Sequence, residues 1–174
     1  GWRATGGDEA GRGGSLATFG GAGRRFQRLG ATAGGATVVD DYAHHPTEVA
    51  ATIAGARSVG ADRVIACFQP HLFSRTAELH QRFGAALAAA DVVLVTGIYP
   101  AREKAQDFPG VTGRQIAEAA ADAGCGSVAW MPTLEDAERY LRTELRAGDL
   151  LLAMGAGNVD TMARALVSAP LAGT

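Results

Sequence analysis

Five residues able to ionise or to hydrogen-bond crowd into Asp40-Asp41-Tyr42-Ala43-His44-His45, and Pro46-Thr47-Glu48 follow at once. Carboxylates accept hydrogen bonds, a phenol both donates and accepts, and an imidazole can hold or move a proton near neutral pH. The run follows Ala36-Thr37-Val38-Val39, a short apolar strand pattern, and Pro46 suits the first position of a helix. The cluster is therefore expected at the carboxyl end of a strand, just before a helix, where open α/β sheets bind ligands. A turn that only had to close would need one or two capping groups.

Three more polar loops fall at the ends of strand patterns: Gln69-Pro70-His71-Leu72-Phe73-Ser74-Arg75-Thr76, Tyr99-Pro100-Ala101-Arg102-Glu103 and Gly155-Ala156-Gly157-Asn158. In a parallel sheet all four loops share one edge. Upstream, Phe19-Gly20-Gly21-Ala22-Gly23-Arg24-Arg25-Phe26 sets paired arginines behind glycines, and a guanidinium fork matches phosphate or carboxylate.

Each motif also has a plainer reading. Asp41 could cap the following helix. His44 and His45 are adjacent and point to opposite sides, which disfavours joint chelation of one ion. His71 could be a turn residue, Tyr99-Pro100 a strand terminator, and Arg24-Arg25 a solvated basic turn. Arg75 lies close to a helix start, where the dipole repels a cation, which argues for an anionic partner. Gly155-Ala156-Gly157 opens like a dinucleotide fingerprint, but Asp160 stands at the third glycine position, and no G-x-x-x-x-G-K-[ST] phosphate loop occurs in the chain.

Periodicity supplies the elements that must position these loops. Strands are expected around Val38-Val39, Arg63 to Phe68, Val92 to Val95, Ser127 to Met131 and Leu150 to Met154. Helices are expected from Pro46 to Val59, around Leu79, Phe83 and Leu87, from a capping box at Thr112 to about Ala123, from Thr133 to Gly148, and from Asn158 to Val167. Five apolar strands alternating with five helices imply an α/β fold: a mainly parallel sheet covered on both faces.

The 174-residue chain suits one domain, or one domain and a tail. A net charge of −2 gives no electrostatic case for a nucleic-acid or membrane-surface partner. No run of 18 apolar residues and no signal-peptide pattern occur, so the expectation is a soluble cytoplasmic protein. Cys67 and Cys125 lack metal-ligand spacing and are expected as reduced thiols. Of the 16 basic residues 15 are Arg and only Lys104 is Lys, which leaves little room for a catalytic lysine. Half of the 24 glycines fall in residues 1–35, and the first 15 residues show almost no apolar periodicity.

The motifs Phe19 to Phe26, Asp40 to Glu48, Phe68 to Thr76, Tyr99 to Glu103 and Gly148 to Asn158 occur in an order that resembles the C-terminal domain of the ATP-dependent Mur ligases of bacterial peptidoglycan synthesis. Tyr42 and Glu48 favour the members that add L-alanine over those that recycle murein peptides. The resemblance covers about residues 16–168. It implies three domains in the whole enzyme, one for UDP-N-acetylmuramate, a central ATPase with the phosphate loop, and a C-terminal α/β, Rossmann-like domain spanning residues 19–174. Residues 1–18 would be the edge of the central one. It also implies an acyl-phosphate reaction with ATP and Mg2+, the metal and phosphates being held mainly by the central domain, and an inactive isolated fragment. Carried over by position, Arg25 contacts nucleotide and phosphate and Asp41 the ribose. Tyr42 and His44 lie near nucleotide and amino acid, with His44 and Arg25 in the catalytic set. His71 and Arg75 belong to the loop that receives L-alanine. Some relatives have a second Arg where Leu72 stands, so the carboxylate grip is expected to be thinner here.

Two other classes stay open on the residues alone: a nicotinamide- or flavin-binding module, opposed by the broken glycine motif, and a non-catalytic domain using the same loops for an anionic partner.

Overall fold

The computed structural model describes residues 24–168; the expectations for residues 1–18 and for Phe19 to Gly23 lie outside them. Six strands form one sheet: β1 (Gln27–Ala31), β2 (Thr37–Asp41), β3 (Arg63–Phe68), β4 (Val92–Thr96), β5 (Val128–Met131) and β6 (Asp149–Met154). Their order is β1-β2-β6-β3-β4-β5, with β1 antiparallel to β2 and every other pair parallel. Five helices connect them: α1 (Pro46–Ser58), α2 (Phe73–Leu87), α3 (Arg114–Asp122), α4 (Leu134–Glu144) and α5 (Val159–Ser168).

The pleat divides each apolar strand between two cores. Val64, Ala66 and Phe68 of β3 join Val49 and Ile53 of α1, Phe83 and Leu87 of α2, and Ile116 of α3 on one face. Ile65 and Cys67 join Leu141 of α4 and Met162 and Leu166 of α5 on the other. Being buried on both faces is why these strands read as continuous apolar runs. Burial raises the Cys67 thiol to about 12, so it stays protonated.

The expected α/β parallel architecture is present, with one strand more than the periodicity indicated. Strand β1, Gln-Arg-Leu-Gly-Ala, has no clean alternation because it pairs only at the sheet's edge and carries a register irregularity between Arg28 and Gly30. Three helix ends also differ. Thr112 makes no capping box: Gly113 is the N-cap of α3, and Thr112 Oγ1 accepts only from the Arg114 N–H at 3.3 Å. Helix α4 stops at Glu144, because Leu145 is extended, rather than at Gly148. Helix α2 begins at Phe73, so Ser74, Arg75 and Thr76 form its first turn rather than a loop. Thr133 does cap α4, accepting from the Asp136 N–H at 3.0 Å.

Candidate functional site

From the ends of β2 and β3 the chain passes to α1 and α2 on one face, whereas from β6, which lies between them, it passes to α5 on the other. Connections that part to opposite faces open a crevice at the strands' carboxyl ends. The loops after β2, β3, β4 and β6 meet there.

Strand β2 runs two residues further than its apolar core, so Asp40 and Asp41 are strand residues, both buried. Their carboxylates have separate partners. Asp40 takes a two-pronged ion pair from Arg24, at 2.8 and 3.0 Å. The same guanidinium donates to the carbonyls of Gly155 and Gly157, each at 3.2 Å, and lies 5.3 Å from the Tyr42 ring centre. Arg24 is thereby committed to joining β1, β2 and the glycine loop. Asp41 accepts from the Phe26 and Ala43 N–H groups, both at 2.8 Å. It does not cap α1: His45 does, its Nδ1 accepting from the Thr47 N–H at 3.2 Å.

Arg25, exposed, together with Asp41, Tyr42 and His44, lines a cavity of about 630 Å³ closed on its far side by Phe26 and by Ala51, Thr52 and Gly55 of α1. The His44 Nδ1 lies 2.9 Å from the Tyr42 carbonyl oxygen, and its ring packs edge-on against Tyr42. On its other side His44 meets His71, with ring centres 6.3 Å apart. His71 stacks on Tyr99 at 5.8 Å, and its Nδ1 faces Arg75 Nη1 at 3.4 Å. A guanidinium only donates, so that contact puts the His71 proton on Nε2. Burial first, then the Arg75 and His44 charges, hold the His71 imidazole below its ordinary value, while Glu103 acts in the opposite sense.

The structure thus brings Arg25, Asp41, Tyr42 and His44 together around one cavity and continues them through His71 to Arg75. Residues that the sequence reading assigned to no role hold this arrangement. Gln69 and Asn158 lock β3 to the loop after β6. A Cβ on Gly157 would lie 2.5 Å from Gln69 Oε1 and 2.6 Å from the Tyr99 ring, and one on Gly155 2.7 Å from the Gln69 carbonyl oxygen. These glycines therefore serve close packing, which is why they mimic only half of a dinucleotide fingerprint. Glu103 accepts from the Ser74 N–H at 3.0 Å and from its hydroxyl. Their signal in the sequence was membership of the four polar loops. Among the described residues no group of three His, Cys, Asp or Glu is placed to hold a metal ion, and no helix is long and apolar enough to cross a membrane.

Comparison with known proteins agrees with this architecture. A curated relative from Acidithiobacillus ferrooxidans, named UDP-N-acetylmuramate–L-alanine ligase, is 53% identical over 150 residues, 86% of this chain and 32% of its own length. The chain thus spans about a third of the curated relatives it matches. Among solved structures, UDP-N-acetylmuramate-alanine ligase from Thermotoga maritima superposes with a TM-score of 0.65 at 26% identity, over 83% of this chain and 29% of that one. A single-domain structure from Haemophilus ducreyi has the same fold, with a TM-score of 0.61 at 22% identity, over 83% of this chain and 98% of that one. Residues 24–157 match the family described as "Mur ligase, glutamate ligase domain", and the chain belongs to the Mur ligase family.

Proposed function

We propose that this chain is the C-terminal domain of an ATP-dependent ligase that joins L-alanine to UDP-N-acetylmuramate in the bacterial cytoplasm, where nucleotide-activated precursors are made. The observation that supports this most is the unbroken path of side chains from Asp41 and Arg25 through His44 and His71 to Arg75. Its two ends have the chemistry that a nucleotide and an amino-acid carboxylate require, and the relative at 53% identity bears that ligase's name.

In this reading the Asp41 carboxylate, with two backbone N–H groups on it, keeps lone pairs for a ribose diol. Arg25 is exposed beside it and reaches the phosphates. Mg2+ and the triphosphate rest mainly on domains outside this chain, which has no phosphate loop. The muramoyl carboxylate takes the γ-phosphoryl group of ATP, with ADP leaving, and the amine of L-alanine then attacks the acyl phosphate, forming the amide as phosphate leaves and the amine gives up a proton. Arg75 holds the L-alanine carboxylate, and His71 and His44 fix the amine's approach. Holding both reactants in near-attack geometry removes much of the entropic barrier, and closure of the domains excludes the water that would hydrolyse the acyl phosphate. Leu72 offers no charge to that carboxylate, so Arg75 is the main grip.

The test is phosphate release by the full-length protein supplied with UDP-N-acetylmuramate and Mg-ATP. Release that depends on L-alanine is the expected result. Release only with a preformed peptide would assign the domain to a recycling ligase instead.

A further inference from the structure

We propose that Glu103 is a positioning residue for amino-acid binding: its carboxylate grips the first turn of α2 and thereby sets where Arg75 and His71 stand. This rests on the reading of Arg75 as the amino-acid carboxylate's partner.

The geometry begins in the loop after β4. Pro100 to Glu103 form a tight turn in which the Glu103 N–H donates to the Pro100 carbonyl at 2.9 Å, with Ala101 at a φ of 52°. A non-glycine residue held left-handed is strained and persists where its surroundings demand it. That turn aims Glu103 at Ser74. One carboxylate oxygen takes the Ser74 N–H and the other its hydroxyl. Ser74 is the second residue of α2, whose N-cap, Leu72, makes no side-chain cap bond and is itself at a φ of 73°. An anion from another loop thus takes an N–H that the helix's own cap leaves without a partner, and places negative charge at the positive end of the helix. Partial desolvation alone would raise the Glu103 carboxyl. The Ser74 bonds, with the Phe73 N–H and the His71 charge adding to them, outweigh it and hold the group below its ordinary value, so it is ionised at neutral pH.

Arg75 is the residue after Ser74, and its guanidinium carries no acid partner within that turn. Its direction is therefore set by the backbone that Glu103 fixes and by His71, whose Nδ1 it faces at 3.4 Å. The two loops are tied at further points: the Leu72 N–H donates to the Tyr99 carbonyl at 2.9 Å, and Phe73 stacks on Phe108 at 5.9 Å. These contacts keep α2 docked on the loop when Glu103 is removed, so its loss lets the first turn shift without unfolding the chain.

The test uses the full-length enzyme with three single variants and the Ser74→Ala/Glu103→Ala double variant. Glu103→Ala should raise the KM for L-alanine at least tenfold and leave that for ATP within twofold. Glu103→Gln retains an oxygen for the Ser74 N–H and an amide N–H for its hydroxyl, and should restore the KM to within about threefold of the parent. Ser74→Ala should raise it less than Glu103→Ala does and add nothing to that variant. Equal rises for both substrates, or Ser74→Ala effects that simply add, would overturn the proposal. The 174-residue chain gives a readout independent of activity, since the Haemophilus ducreyi structure shows that such a domain folds alone. In NMR titration the Ser74 amide should follow an acid transition in the parent chain, and Glu103→Ala should abolish it. If L-alanine is not a substrate but the Ser74 amide titrates as expected, the reading of Arg75 fails while the Glu103 grip stands. If the amide does not titrate, the grip itself is refuted.

Discussion

Gln69 and Asn158 exchange two hydrogen bonds: the Gln69 side-chain amide donates to Asn158 Oδ1 at 2.8 Å, and the Asn158 N–H donates to Gln69 Oε1 at 2.9 Å. This pair fixes the loop after β6 against the end of β3, and Gly157 is the residue that lets it close. Gly157→Ala forces a methyl into Gln69 Oε1 and the Tyr99 ring. The expected cost is about 1–3 kcal/mol, the usual range for overpacking. Thermal unfolding of the chain checks it, and because Tyr99 carries His71, the histidine's NMR signals should shift in the same variant.

Asp41 has a double duty, which changes what its removal should do. Its carboxylate joins β1 to β2 through the Phe26 N–H and also faces the cavity. Asp41→Ala should therefore lower stability by about 1–3 kcal/mol, the cost of leaving buried donors unpaired, as well as raise the KM for ATP. Asp41→Asn keeps an acceptor for one of the two N–H groups and should separate the effects, losing less stability while still impairing ATP use. Chemical denaturation and steady-state kinetics on both variants make the comparison.

Far from the site, Arg63 pairs with buried Asp149 through two contacts, at 2.9 and 2.8 Å. Desolvation opposes ionisation there, but the Arg63 bonds and the Arg146 N–H outweigh it and hold the Asp149 carboxyl below its ordinary value of 3.8. A lowered carboxyl contributes stability above the unfolded value and loses it as pH falls through the folded one. The Asp149 contribution should be level from neutrality to about pH 4 and decline below that. Asp149→Asn should be less stable by about 2 kcal/mol at pH 7 and show a shallower acid decline. Unfolding midpoints between pH 2 and 7 test it.

Most of the parallel frame was legible because strands buried on both faces advertise themselves as apolar runs. Strand β1 was not, since Gln27, Arg28 and Gly30 bury little and pair only at an edge. Helix starts were legible where a local side chain caps the helix, as at Thr133, and less so where none does. At α2 the N-cap, Leu72, makes no cap bond and the Ser74 N–H is taken by Glu103, 29 positions away, which no local spacing encodes. The site followed the same rule. Asp41, Tyr42 and His44 stood out as a cluster, whereas composition and spacing did not tell Arg24 from Arg25; the resemblance alone singled out Arg25, and in the structure Asp40 claims Arg24 and leaves Arg25 exposed.

The isolated chain should bind Mg-ATP only in the millimolar range, about 4 kcal/mol, because ribose contacts without a phosphate loop repay little of the entropy of association. It should neither hydrolyse ATP nor ligate. Calorimetric titration reads the affinity, and micromolar binding would mean that the nucleotide site is complete within these residues.

The KM for L-alanine of the full-length Arg75→Ala enzyme tests the placement of the amino acid most directly. Loss of a charged hydrogen-bond partner is worth about 1.5–3 kcal/mol, so the KM should rise roughly tenfold or more while that for ATP changes little. An unchanged KM for L-alanine would remove Arg75 from the amino-acid site and contradict the account.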